Sequence, residues 1–120
     1  MKFEQTGLEG IQIKFEDIDE TMSECGFDRA WDYERATYDY KMIDQVEDAT
    51  YYLRMPCFVI EGEIPKADTT VELMTPYVGK HYYPHGVEYD EDFPQKIVEK
   101  CHKKIAAVTE KIQADKLASS

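Results

Sequence analysis

The chain reads as an α+β protein in the order β-α-β4-α, a curved antiparallel sheet packed on a long C-terminal helix, and three stretches carry that expectation. From Trp31 to Lys41 rings and charges alternate at strand period with one slip of phase. From Ala49 to Val59 the residues Ala49, Tyr51, Leu53, Met55, Cys57 and Val59 keep one parity. From Ile97 to Ile112 the apolar residues Ile97, Cys101, Ile105, Val108 and Ile112 recur at helical spacing.

Taken in order, Ile11, Ile13 and Phe15 alternate with Gln12, Lys14 and Glu16 and predict a short strand with one buried face. The period then changes. Asp17, with Glu20 three residues on, predicts a capped helix start, and Ile18, Met22 and Cys25 its apolar face. Gly26 is placed to end that helix in the left-handed conformation. From Phe27 strand chemistry returns. Trp31 and Tyr33 share one parity and Ala36, Tyr38, Tyr40 and Met42 the other, so a turn or bulge is expected at Glu34 and Arg35. Asp44 to Asp48 reads as a hairpin loop.

Pro56 interrupts the next run, which places the strand at an edge or bulges it there, and Phe58, Ile60 and Ile64 then take the opposite parity. After a connection from Pro65 to Thr70, the last strand region runs from Val71 to Tyr83. Val71, Leu73 and Tyr77 share a parity there, and Pro76 and Gly79 weaken its middle. Pro84-His85-Gly86 signals a turn, and Glu88 to Asp92 an acidic connector in which Asp92 caps the final helix. That helix, Pro94 to Leu117, would span about 36 Å at 1.5 Å per residue, and Ala118 to Ser120 would fray. Strands followed by one long helix resemble the helix-grip or TATA-binding-protein-like arrangement, an analogy of fold alone.

At 120 residues the chain suits a single domain spanning residues 1–120, able to bury a core without disulfides or a structural metal. Its net charge of -11 disfavours nucleic acid and anionic membranes, both of which are bound through Lys and Arg. The charge is uneven: residues from Pro94 onward carry +3 and the rest -14, so a local basic face on the last element is compatible with the composition. Cys25, Cys57 and Cys101 are far apart among apolar neighbours, which fits core thiols in a reducing compartment rather than a disulfide framework or a zinc site. No apolar run matches a signal peptide or a membrane span, so a cytoplasmic location is expected.

Read together, Trp31-Asp-Tyr-Glu-Arg35, Thr37-Tyr-Asp-Tyr-Lys41, Tyr52-Leu-Arg54, Glu61-Gly-Glu63 and the segment from Gly79 to Asp90 resemble the YugN-like family over nearly the whole chain. The resemblance implies a small cytoplasmic protein of the kind found in Bacillus and related Firmicutes. It transfers no catalytic residue, because the family's biochemical role is unassigned.

The residues with functional potential are aromatic, basic and acidic. Trp31, Tyr33, Tyr38, Tyr52, Tyr77 and Tyr83, with Arg54 and His81 as polar contacts, would line a ligand pocket if they meet between sheet and long helix; as sheet residues they are packing groups. His81 and His85, with Glu88 and Asp90 behind them, form a weak metal alternative, since Pro84 and Gly86 put them at a strand end rather than on a helix. The acidic groups Asp17 to Glu24 and Glu88 to Asp92 read as solvated faces and helix caps. No phosphate loop, nucleophile elbow or His-Glu-x-x-His helix is present, and nothing in the sequence calls for a cofactor. The leading reading is a non-catalytic module binding a small ligand or protein. Its rivals are an enzyme or metal protein centred on Arg54, His81 and His85, and a homodimer joined through a sheet edge or face.

Overall fold

Aromatic and β-branched residues from Ala49 onward make the longest strand, thirteen residues, and the rest of the sheet assembles on it. The computed structural model describes residues 1–4, 6–66, 68–82, 86–88 and 93–118. Its elements are β1 (Gln12–Lys14), α1 (Phe15–Glu24), β2 (Asp28–Trp31), β3 (Arg35–Asp44), β4 (Ala49–Glu61), β5 (Thr70–Leu73), β6 (Tyr77–Tyr82), β7 (Gly86–Glu88) and α2 (Gln95–Ala118). All pairings are antiparallel. The order is β1-β5-β4-β3-β2, with β6 also on β4 and β7 on β6. The α+β class and the long C-terminal helix are as expected.

Two runs that the sequence pattern joins are divided. The phase slip at Glu34 and Arg35 is a chain reversal between β2 and β3, where the Asp32 carboxylate accepts the N–H groups of Glu34 and Arg35, each at 2.8 Å. The run from Val71 becomes β5 and β6, lying end to end along one edge of β4. Leu73 pairs with Cys57 and Tyr77 with Arg54, so Met74, Thr75 and Pro76 oppose only Met55 and Pro56. One extra residue makes a bulge and exchanges the faces. Tyr77, grouped by parity with Val71 and Leu73, therefore leaves the core face and Val78 replaces it.

Pro56 is neither at an edge nor bulged against β3, with which β4 keeps one register from Arg35↔Phe58 to Asp44↔Ala49. Its carbonyl accepts the Met74 N–H at 3.0 Å. A strand residue turns N and C=O to the same neighbour, so the nitrogen that has no proton faces the bulge, where a regular ladder would have needed a donor.

The first helix begins two residues earlier than expected. Phe15, read as strand, opens α1, and its N–H donates to the Thr69 carbonyl at 2.8 Å. No side chain caps this end, so Asp17 is a first-turn acid rather than the cap. The stop is as expected: Gly26 has φ +87°, its N–H donates to the Ser23 carbonyl, and the Phe27 N–H reaches back to Met22. The Asp92 cap and residues 119–120 lie outside the described residues; Ala118, the expected start of fraying, still belongs to α2.

Both helices lie on one face of the sheet. The α2 stripe Ile97, Cys101, Ile105, Val108 and Ile112 is buried against Tyr38, Met42, Tyr51, Leu53 and Val78. Lys96 lies beside Asp44, Lys104 sits 4.3 Å over the Tyr40 ring, and Lys111 pairs with Glu24 of α1, so α2 runs back along β3. The N-terminal residues, which show no strand pattern, extend the sheet: the Val78 N–H donates to Met1 and the Phe3 N–H to Pro76.

Leu53 is wholly buried at the centre of this layer. Leu53→Ala is expected to cost about 2–5 kcal/mol, against less than about 0.5 kcal/mol for Val46→Ala at an exposed turn. Urea unfolding midpoints of the two variants compare these values directly.

Asp44 supplies a pH-dependent tie. Its Oδ1 accepts the Val46 and Glu47 N–H groups, its Oδ2 lies 2.9 Å from the Lys96 ammonium, and that cation holds the carboxyl below its ordinary range. A depressed carboxylate stabilises the fold fully at neutral pH and loses that contribution as the pH falls through its folded value. Lys96→Ala should therefore be less stable than wild type at pH 7, with the difference smaller at an acidic pH below the ordinary carboxylate range. Urea unfolding at the two pH values tests this; a constant difference would assign the effect to packing alone.

Candidate functional site

The face turned away from the helices carries four of the sequence-nominated groups, Tyr52, Arg54, Tyr77 and His81. Antiparallel register sets them in rows across three strands: Asp39, Arg54 and Tyr77 in one, Lys41, Tyr52 and Gly79 in the next, Ile43, Thr50 and His81 in the third. Directly opposed side chains in such rows stand about 4.5–5.5 Å apart at Cβ. Arg54 binds Asp39 through two parallel contacts, Nε to Oδ1 at 2.7 Å and Nη2 to Oδ2 at 3.0 Å. The Tyr52 and His81 rings meet edge to face at 6.1 Å. Tyr52, Arg54 and Tyr77 are half-buried and His81 is exposed.

The other nominated residues lie elsewhere. Tyr38 is on the opposite face, 1% exposed under α1, where its hydroxyl donates to the Asp19 carboxylate at 3.1 Å. Burial, and then that carboxylate, push its phenol far above the ordinary range, so it is a neutral structural donor. Trp31 is on the exposed edge strand β2 with the Arg29 guanidinium 5.7 Å over its ring, and Tyr33 is 68% exposed at the turn that follows. Tyr83 and His85 lie outside the described residues.

The space between sheet and helices is filled by apolar side chains rather than lined by rings from both layers. Cys25, Cys57 and Cys101 are buried free thiols. Burial raises the Cys57 thiol to about 11 and the Cys101 thiol to about 12, which keeps both protonated and poor as nucleophiles. Among the described residues no group of three or more His, Cys, Asp and Glu side chains is placed to hold a metal ion, and no helix is long and apolar enough to cross a membrane.

Sequence reasoning overlooked the Arg54–Asp39 pair. The hairpin centre would have revealed it, because a loop of Gln45 to Asp48 aligns Asp44 with Ala49 and so Asp39 with Arg54.

The YugN-like family model matches residues 4–112. The chain belongs to the YugN-like family. It is 43% identical over 104 residues to the uncharacterized protein YlbA of Bacillus subtilis (strain 168), covering 83% of this chain and 85% of that one. It is 21% identical over 85 residues to the uncharacterized protein YugN of the same strain, covering 69% and 62%. The crystal structure of the uncharacterized conserved protein YugN from Geobacillus kaustophilus HTA426 matches with a TM-score of 0.84 at 41% identity, covering 97% of each chain. For this YugN-like chain the kinship establishes the fold, and the chemistry has to come from its own side chains.

Thiol chemistry offers a direct check on the site. At pH 7.5, Cys57 and Cys101 should resist alkylation in the native protein and react rapidly in denaturant, because both protonation and burial protect them. Mass spectrometry after timed iodoacetamide treatment reads the result, and fast native labelling of either residue would reopen nucleophilic chemistry.

Proposed function

We propose that this YugN-like chain is a single-domain, non-catalytic cytoplasmic module that binds a protein partner through the face formed by β3, β4 and β6. The observation that carries this reading is the adjacency of Tyr52, Arg54, Tyr77 and His81 on a face that neither helix covers. Tyr and Arg are the side chains that most often dominate protein interfaces, because they combine large apolar area with directional polar contacts. Arg54 already has a carboxylate partner in Asp39, so its charge is balanced in place, which suits a broad protein surface better than a small anion. Exposed Ile43 at the end of one row adds apolar area. Three buried free thiols support the cytoplasmic assignment.

The buried, protonated thiols and the engagement of Arg54 weigh against the enzyme reading. A second copy of the chain is one candidate occupant of the face, and light scattering at high concentration separates it from a different partner.

The test is pull-down with immobilised wild type and with Tyr52→Ala/Tyr77→Ala, each shown folded by circular dichroism. A partner held by wild type should bind the variant at least about tenfold more weakly, the loss of one or two interface anchors. Identical capture by both proteins would overturn the assignment of this face.

A further inference from the structure

We propose that the open edge of β3, from Lys41 to Ile43, binds an extended acidic peptide by strand addition. This edge borders the Tyr52–Arg54 face and shares Lys41 and Ile43 with it, but it engages their backbone groups and does not depend on that reading. Strand β2 pairs with β3 only as far as Asp28↔Asp39, whereas β3 continues to Asp44. Among the described residues, no strand occupies that side beyond Asp39.

The backbone there is oriented to pair. The Asp32 N–H donates to the Arg35 carbonyl at 2.9 Å and the Val59 N–H to the Glu34 carbonyl at 2.8 Å. Odd residues of β3 therefore turn N–H and C=O toward β2, and even residues toward β4. By that alternation Lys41 and Ile43 present theirs outward. A free edge of this kind is a template for another strand.

The charge around it selects the occupant. A groove of about 480 Å³ lies between this edge and α2, and Lys41, Lys100, Lys103 and Lys104 line it with no carboxylate among the lining residues. Lys104 is anchored, with Nζ donating to the Cys25 carbonyl at 2.5 Å and lying over the Tyr40 ring, while Lys100 and Lys103 are exposed. In a chain of net charge -11 this is a concentration of cations beside backbone that no described strand pairs. A second copy paired edge to edge would bring two such lysine groups together, which disfavours self-association here. DNA would meet the acidic remainder of the chain. An extended peptide carrying glutamates satisfies both the backbone and the ammonium groups, and Tyr40 to Asp44 offers room for about five residues, or 17 Å.

Fluorescence anisotropy with a labelled ten-residue peptide of alternating glutamate and valine tests this. Wild type should bind it. Affinity should fall at least tenfold for Lys100→Glu/Lys103→Glu, two exposed positions whose change leaves the core untouched, and as much for the same peptide N-methylated at alternate residues. Added salt should weaken binding, and Tyr77→Ala should not. No binding at millimolar peptide would overturn the proposal. So would equal binding of the N-methylated peptide, or full competition by millimolar inorganic phosphate, since either would reduce the edge to a simple anion site.

Discussion

Pro56 has no N–H to give, and it stands in the middle of the strand on which every other strand depends. A proline in a central strand is tolerated only where the neighbouring ladder is already interrupted. Here the neighbour supplies the interruption, since Met74 to Pro76 insert one residue more than β4 provides opposite them. The insertion reverses which side chains face inward, so Val71 and Leu73 reach the core before it and Val78 after it. Tyr77 consequently arrives beside Arg54 rather than under the helices. The place of the β6 residues Tyr77 and His81 on the outer face is in this sense coupled to the interruption opposite Pro56.

The second organising constraint is one-sided burial. A single long amphipathic helix, assisted by α1, covers one face of the sheet, and its five-residue stripe is complementary to the inward residues of β3 and β4. Tyrosines divide accordingly. Tyr38 and Tyr51 are buried packing groups, whereas Tyr52 and Tyr77 stand half-exposed on the far side. The same helix turns its lysines toward Asp44, Tyr40 and Glu24, which fixes its direction along β3 and gathers positive charge beside an edge that β2 leaves unpaired.

Much of this is legible in the residue pattern because periodicity reports burial. The stripe from Ile97 to Ile112, the parity from Ala49 to Cys57 and the Gly26 stop each appear where they were expected, since each is set by local geometry of 3.6 or 2 residues per repeat. The Glu34–Arg35 slip was readable as a break but not as a reversal, because a turn and a bulge shift parity alike. Phe15 was misassigned for a related reason: its N–H is satisfied by Thr69, fifty-four residues away, and no local signal announces that bond.

The sequence by itself determined the α+β class, the family, the long terminal helix and the three buried cysteines, all of which follow from local period and composition. Which rings share a face was decided only by the tertiary structure, because a one-residue bulge on a distant strand changes the outcome without altering any local pattern. The meeting of Asp39 with Arg54, and of the lysines of α2 with the free end of β3, depends likewise on register and on helix placement. Those are properties of paired segments, and a single strand of text does not carry them.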